Sequence, residues 1–464
     1  MATVTNKEKN PKQLPLLDKP EKVALLEPSF KDPAFAGNKN LPIHRWVPWI
    51  AGFSSEFVKG VLRQNLLHEG TVLDPFSGVG TTLVEAVLHG HKAIGFEINP
   101  YAKLACDTKL KAYLVDTKQF SQLIKNFESF YSSKVLSGYS PKSSMPSGFK
   151  TRGEFYSPDV LKKVLILQDF INSVADSGIK NVFRLAFAST MVQYSNYSYE
   201  PSLGQRISSG KSEILDFDIE KVVVKKLNEM LQDILWYREH LPEKKVEAKI
   251  YNKSFFGNSE LKANAVDLII TSPPYLNNYH YNRNTRPQLY WLGCVQNTQD
   301  MKKLEEANFG KYWQTVRDGK DIKLDFALPN TDLEAKLDEL KETRKDKGLY
   351  GGRGWTNYAA VYFNDCYKFC SIMKKILKPG GKAFVVIGNS ILQGIFIPTD
   401  VYLGKIAEKT GLELTRIEVV RKARIGNSII NSEFRFGNGN GNGQHTLYEA
   451  IVEITKPKVS RKTC

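Results

Sequence analysis

Residues 71–82 read Thr71-Val72-Leu73-Asp74-Pro75-Phe76-Ser77-Gly78-Val79-Gly80-Thr81-Thr82. The apolar start predicts a short buried strand ending at Asp74. Gly78 and Gly80 lack Cβ, so the turn that follows can take unusual dihedrals and a ligand can lie against its backbone. A helix is predicted from about Thr81, with Leu83, Val84, Ala86, Val87 and Leu88 packing inward. Lys92-Ala93-Ile94-Gly95-Phe96 predicts a second strand, with Glu97 at its end.

A strand, a Gly-rich turn, a helix, a strand and then an acid is the half-Rossmann plan for a nucleoside ligand, the acid holding a ribose diol. The glycine pattern has no third Gly at dinucleotide spacing. No Gly-x-x-x-x-Gly-Lys-Ser/Thr phosphate loop occurs either. The expected ligand is therefore nucleoside-like, with no need of a phosphate cradle.

A second stretch matches the first in kind. Residues 266–270 form an apolar run, followed by Thr271-Ser272-Pro273-Pro274-Tyr275. Two prolines cannot donate to a ladder, so they stop the strand and stiffen the backbone beyond it. A rigid turn then stands at a strand's carboxyl end, where open α/β sheets bind ligands. It carries a hydroxyl, carbonyls and an aromatic ring.

The two stretches together resemble the amino-group DNA methyltransferases. Residues 74–82 with Gly95-Phe96-Glu97-Ile98-Asn99-Pro100 look like that family's S-adenosylmethionine site, and residues 271–275 are similar to its catalytic motif. The resemblance covers about residues 44–115 and 250–455. It implies cofactor contacts at Asp74, Pro75, Phe76, Gly78, Gly80, Thr81, Thr82, Glu97 and Ile98, and an adenine contact at Asn258. It implies a catalytic role for Ser272, Pro273, Pro274 and Tyr275. The fold expected is α/β: a Rossmann-like methyltransferase sheet with helices on both faces, plus mainly helical insertions forming a DNA-recognition region.

The chemistry fits those residues. An exocyclic amine of a base has its lone pair delocalised into the ring. Acceptors aimed at its N–H bonds favour a more tetrahedral nitrogen and orient the lone pair. Ser272 Oγ and the Pro273 carbonyl supply them, and Tyr275 would stack on the base. A paired base hides its amine, so the target must be flipped out. Methylation at ring carbon 5 of cytosine needs a Cys after Pro in the family that performs it, and none of the five cysteines follows Pro. Members acting on adenine mostly carry Asp or Asn where Ser272 stands, and many acting on cytosine carry Ser. The resemblance thus favours N4 of cytosine, with N6 of adenine as the alternative. An RNA methyltransferase and a non-catalytic DNA-binding protein are further alternatives.

The flanks divide the chain. Residues 1–40 read as an arm, 41–115 as the cofactor half of the catalytic domain, and 116–245 as a helical insertion for target recognition. Residues 246–294 carry the catalytic motif, 295–355 a charged insertion of solvated helices, and 356–464 the C-terminal half. The Trp residues at 46 and 49 serve either the core or a pocket wall. Residues 194–206 interleave aromatic, amide and Arg groups that can meet bases; Tyr194, Asn196 and Arg206 are expected at DNA. So are Arg283 and Arg286, and Arg421 and Arg424 near the Gly/Asn run at 437–443. Residues 351–355 read as a flexible stretch before a helix over 358–376.

The bulk numbers agree. There are 65 Lys+Arg against 49 Asp+Glu, a formal charge of +16, which points to a polyanion, and duplex DNA is the expected partner. A cognate restriction endonuclease acting separately is a possible second partner. No apolar run approaches the roughly 18 residues of a membrane helix, and no secretory h-region opens the chain, so a cytoplasmic location is expected. Cys366 and Cys370 have no second Cys/His pair at zinc spacing and are expected to be buried hydrophobes, with no metal site.

Overall fold

The structure, a computed structural model, describes residues 35–49, 52, 54–199, 202–257, 259–277, 279–422 and 447–458. Asn258, Arg424, the 437–443 run and all but the last few residues of the 1–40 arm lie outside these.

Helix α1 (Ser55–Asn65) starts where Ser54 accepts the Phe57 N–H at 3.0 Å. Strand β1 (Thr71–Asp74), α2 (Thr81–Leu88) and β2 (Lys92–Phe96) follow as the sequence predicts. Helix α3 (Pro100–Leu110) has Asn99 as its cap and Pro100 in its first turn. Helices α4 (Thr117–Leu136), α5 (Pro158–Ser173) and α6 (Ser177–Thr190) precede a hairpin of β3 (Tyr197–Tyr199) and β4 (Leu203–Gln205). Then come α7 (Ile219–His240), β5 (Ala248–Tyr251) and β6 (Val266–Thr271). Short helices α8 (Tyr281–Asn284), α9 (Arg286–Trp291), α10 (Thr298–Glu306), α11 (Trp313–Val316) and α12 (Leu333–Glu342) lead to the long α13 (Gly352–Ile376). The chain closes with β7 (Leu377–Gly388), a hairpin of β8 (Ser390–Leu392) and β9 (Ile395–Ile397), α14 (Thr399–Lys409), β10 (Glu413–Lys422) and β11 (Tyr448–Thr455).

Seven strands form one sheet in the order β10-β11-β7-β6-β1-β2-β5. The five from β7 to β5 run parallel, and β11 and β10 add antiparallel. The chain builds outward from β1 through β2 to β5, then returns to lay β6 on the other side of β1. The switch point therefore falls between the carboxyl ends of β1 and β6, where an open α/β sheet leaves a crevice for ligand. Asp74 ends one of these strands and Thr271 the other.

Alternate residues of each strand serve opposite layers. Val72, Leu268, Ile270 and Phe384 pack with α2, α3 and helices α4 to α7. Leu73, Ile269, Val385 and Ile387 pack with α13, α14 and the 309–340 segment. Helices α4 to α7 are thus joined to the sheet by one apolar core and form no body of their own. Phe127, Phe170 and Phe183 meet at its heart, with ring centroids 5.2–6.2 Å apart. Expected as a recognition insertion, this stretch builds the layer over one face of the sheet.

Two further expectations change. Residues 352–355 are the first turn of α13, because Gly352 tucks against the Leu340 and Thr343 carbonyls where no Cβ would fit. The charged stretch is solvated on one side only: Leu333, Leu337 and Leu340 of α12 are buried. Cys366 and Cys370 are buried in α13. No described helix is long and apolar enough to cross a membrane.

Candidate active site

The turn after β1 is built by backbone demands. Gly78 and Gly80 have φ of 50° and 87°, which L side chains rarely adopt. A Cβ on Gly80 would stand 2.4 Å from Cys106 Sγ. Lys109, buried in α3, donates to the Val79 carbonyl at 3.1 Å and clips the turn from behind. Burial pulls its ammonium pKa down to about 7.

Two carboxylates flank this turn. Asp74 Oδ1 accepts from Thr271 Oγ1 at 2.6 Å and from the Phe76 N–H at 3.0 Å. Among the described residues, its buried Oδ2 has no hydrogen-bond partner. Burial raises the Asp74 pKa to about 6, against the pull of hydrogen bonds from Thr271, Phe76 and Thr82. Glu97 accepts the N–H of Gly78 at 2.8 Å and of Asn99 at 2.7 Å. Burial raises its pKa to about 7, opposed by those same N–H groups.

A cleft opens at this switch point. Pro75, Phe76, Gly78, Glu97 and Ile98 line it, and so do Ser272 and Pro274. Asp74, Thr81 and Thr82 are buried behind its wall, with Gly80 in the turn between, and Thr82 Oγ1 donates to the Ile270 carbonyl at 3.2 Å. Two stretches about 190 residues apart in sequence therefore share one cleft. Pro273 is buried. Tyr275 is set apart from the cleft: it hydrogen-bonds with Ser272, and its ring covers Gly388, where a Cβ would meet it at 3.1 Å. It faces a smaller cavity that it shares with Tyr279, Tyr281 and Tyr312.

The cleft also has walls that the sequence reading missed or left open. Trp46 is core, fully buried, while Trp49 lines the cleft with its indole over Gly78. Phe255, Phe256 and Phe309 line it as well. Phe309 meets Phe76 edge-on at 5.2 Å and stacks with Phe256 at 5.9 Å. The Phe255-Phe256 pair just before Gly257 was a usable signal. Phe309 had only a weak one, a lone apolar residue among charges. Asn99 reaches across to Thr285 Oγ1 at 2.8 Å and so fixes α9 to the end of β2.

The expected DNA contacts scatter. Tyr194 is fully buried, its hydroxyl on Thr190 and its ring stacked on Tyr156 at 5.9 Å. Asn196 is buried too, and its Oδ1 accepts the Ile214 N–H at 2.7 Å. Both serve the interior, because the end of α6 dives into the core before the hairpin emerges. Arg206 donates to the Ser212 carbonyl, and Arg283 is exposed. Arg286 lies over the Phe149 and Tyr290 rings at 5.8 and 5.5 Å. Arg421 is paired with Glu449 at 2.8 Å.

A fit to a nucleoside-like ligand is visible in this geometry. The cleft has aromatic walls and a carboxylate, Glu97, at the edge of the turn.

Comparison with known proteins agrees with this description. Residues 29–106 match the family profile described as DNA methylase. The Type II methyltransferase M.BsoBI of Geobacillus stearothermophilus is 24% identical over 435 residues, covering 85% of this chain and 83% of its own. The Type II methyltransferase M.MvaI of Kocuria varians is 24% identical over 351 residues, covering 72% of this chain and 74% of its own. Among solved structures, a Thermus thermophilus protein described as a putative DNA modification methylase, complexed with S-adenosyl-L-methionine, is 14% identical. That alignment covers 44% of this chain and 54% of the other, with a TM-score of 0.21.

Proposed function

We propose that this chain, which belongs to the amino-group DNA methyltransferases, methylates the exocyclic N4 of cytosine in duplex DNA with S-adenosylmethionine as methyl donor. The observation that carries the reading is that Glu97 and Ser272 line one cleft, joined behind its wall by Asp74 and Thr271.

When bound, S-adenosylmethionine supplies a methyl carbon made electrophilic by its sulfonium, with a neutral thioether as leaving group. Glu97 accepts the ribose hydroxyls, and Phe76, Phe255, Phe256 and Phe309 enclose the adenine. Gly78 lets the ligand approach the backbone. Asp74, behind the wall, holds the end of its strand to Thr271 and so shapes the turn that meets the ligand. Asn258 is a further adenine contact in this reading.

Ser272 Oγ and the Pro273 carbonyl accept the two N–H bonds of the target amine. This draws the nitrogen toward tetrahedral geometry and localises its lone pair in line with the methyl group. No strong general base is required, since the proton leaves to water once the nitrogen has been alkylated and become acidic. Pro273 and Pro274 hold both acceptors on a stiff backbone. Ser272, in place of Asp or Asn, favours cytosine. The paired amine is reached by extruding the nucleotide from the duplex. A place in a restriction–modification system fits the Type II relatives, with any cognate endonuclease acting as a separate protein.

Titration calorimetry with S-adenosylmethionine tests the reading. Saturable one-site binding is expected for the wild type, weakened in Asp74→Ala. Absence of binding by the wild type contradicts it.

A further inference from the structure

The tyrosine-rich hairpin is docked on the segment that follows the catalytic turn. Tyr199 Oη donates to the Asn284 carbonyl at 2.9 Å, and the Leu203 N–H donates to Asn284 Oδ1 at 2.9 Å. Beside this junction lies a pocket of about 250 Å³, walled by Trp49, Tyr101, Tyr199, Tyr279 and Tyr281. Trp49 and Tyr281 also line the cleft that holds Ser272, so the two spaces share walls.

Gln288 of α9 lines the same pocket and is only 5% exposed. Its amide orientation is determined by its neighbours. Nε2 lies 3.4 Å from the Ala188 carbonyl and 3.3 Å from Tyr199 Oη. A carbonyl only accepts, and the Tyr199 proton is already committed to Asn284. Neither neighbour can donate, so the amide nitrogen must face them. Among the described residues, Gln288 Oε1 is left buried with no donor. Buried acceptors in folded proteins are normally satisfied, and an orphan in an aromatic pocket points to a planar ligand that carries an N–H.

We propose that this pocket seats the extruded nucleobase before transfer, and that Gln288 Oε1 accepts an N–H from the base's edge. The inference rests on the DNA-methyltransferase reading and adds to it a seat and a specificity residue. Rings of any base stack on the tyrosine and tryptophan walls. The acceptor requires a donor edge, and the exocyclic amine is the donor that cytosine and adenine share. The first helical stretch thus contributes to target handling through Tyr199, which walls the pocket and orients Gln288.

The test uses full-length protein and a duplex carrying the wild type's own methylation site, with 2-aminopurine at the position next to the intact target base. The wild type should raise the 2-aminopurine fluorescence. Gln288→Met, which keeps volume and removes the acceptor, should lower both the fluorescence gain and kcat/KM for DNA by about tenfold or more. Ser189→Trp, which fills the pocket from α6, should do the same. Affinity for S-adenosylmethionine should be unchanged in both. Tyr199→Phe removes one anchor of the amide and leaves the acceptor, so it should cost far less than Gln288→Met. Wild-type fluorescence and kinetics in both Gln288→Met and Ser189→Trp would overturn the proposal. Equal losses in Gln288→Met and Tyr199→Phe would assign Gln288 a structural role instead. Failure of the wild type to methylate any DNA would overturn the underlying reading, and the proposal with it.

Discussion

Thr271 Oγ1 donates to Asp74 Oδ1 across 2.6 Å, although the two residues stand 197 positions apart in sequence. They end the two strands at the switch point of the sheet. One stands just before Ser272, the other just before the Gly-rich turn. This hydrogen bond fixes the two halves of the cleft against each other.

Removing it should loosen the cofactor half first. Thr271→Val leaves Asp74 Oδ1 with the Phe76 N–H alone in a buried site. Leaving a buried acceptor short of a donor costs about 1–3 kcal/mol. Affinity for S-adenosylmethionine is expected to fall about tenfold. Thr271→Ser, which keeps the hydroxyl, should stay close to wild type. Titration calorimetry on both variants checks this.

Glu97 predicts the pH dependence of binding. Burial raises its pKa to about 7, so the carboxyl gains a proton as pH falls through that value. Ribose hydroxyls donate to the ionised form, so binding favours proton loss and affinity should rise from pH 6 to pH 8. The contribution of Glu97 to folding runs the other way. It is fully present below the ordinary carboxylate pKa and is lost as pH rises through about 7. Calorimetry at both pH values should show the rise in wild type and a flat, weaker response in Glu97→Gln.

Ser272→Ala separates chemistry from binding. The hydroxyl lines the cleft on the catalytic side, away from the turn that holds the cofactor. Loss of one acceptor for the target amine should lower kcat by about 100-fold. Cofactor affinity should change by less than about twofold. Single-turnover methyl transfer with calorimetry on the same protein distinguishes the two quantities.

Asp233 on α7 governs the segment that brings Trp49 to the cleft. Its buried carboxylate accepts from the Ile43 N–H at 2.9 Å, from Trp46 Nε1 at 2.9 Å and from Arg45 Nη2 at 2.5 Å. Asp233→Ala leaves the Ile43 and Trp46 N–H groups unpaired in the core and Arg45 with Glu229 alone, and should cost about 3 kcal/mol of stability. Thermal unfolding should show the loss. Cofactor affinity should weaken too, as the Trp49 wall moves.

Much of this organisation was legible in the chain, and the reasons are physical. The strands at 71–74, 92–96 and 266–271 are short apolar runs that end at Asp74-Pro75, Glu97 and Ser272-Pro273, and such signals are local. The Asp74, Glu97 and Ser272 positions follow from those strand ends. Burial was harder to read. Tyr194 and Asn196 sit in a polar, aromatic stretch that looks like a surface for bases. Their burial is decided by how α6 meets α5 and α7, which no local pattern reports. Phe309 reaches the cleft from a charged region because α13 holds that segment against the sheet. Gln288 carried no signal at all, since its free acceptor exists only through Ala188 and Tyr199.

The central claim is amino-methylation of DNA, and nucleoside analysis tests it most directly. DNA from cells expressing the wild type or Ser272→Ala would be digested to nucleosides and examined by mass spectrometry. The expected result is N4-methylcytosine with the wild type and its loss with Ser272→Ala. N6-methyladenine in its place would contradict the choice of cytosine. The absence of any methylated amino base from wild-type DNA would contradict the account itself.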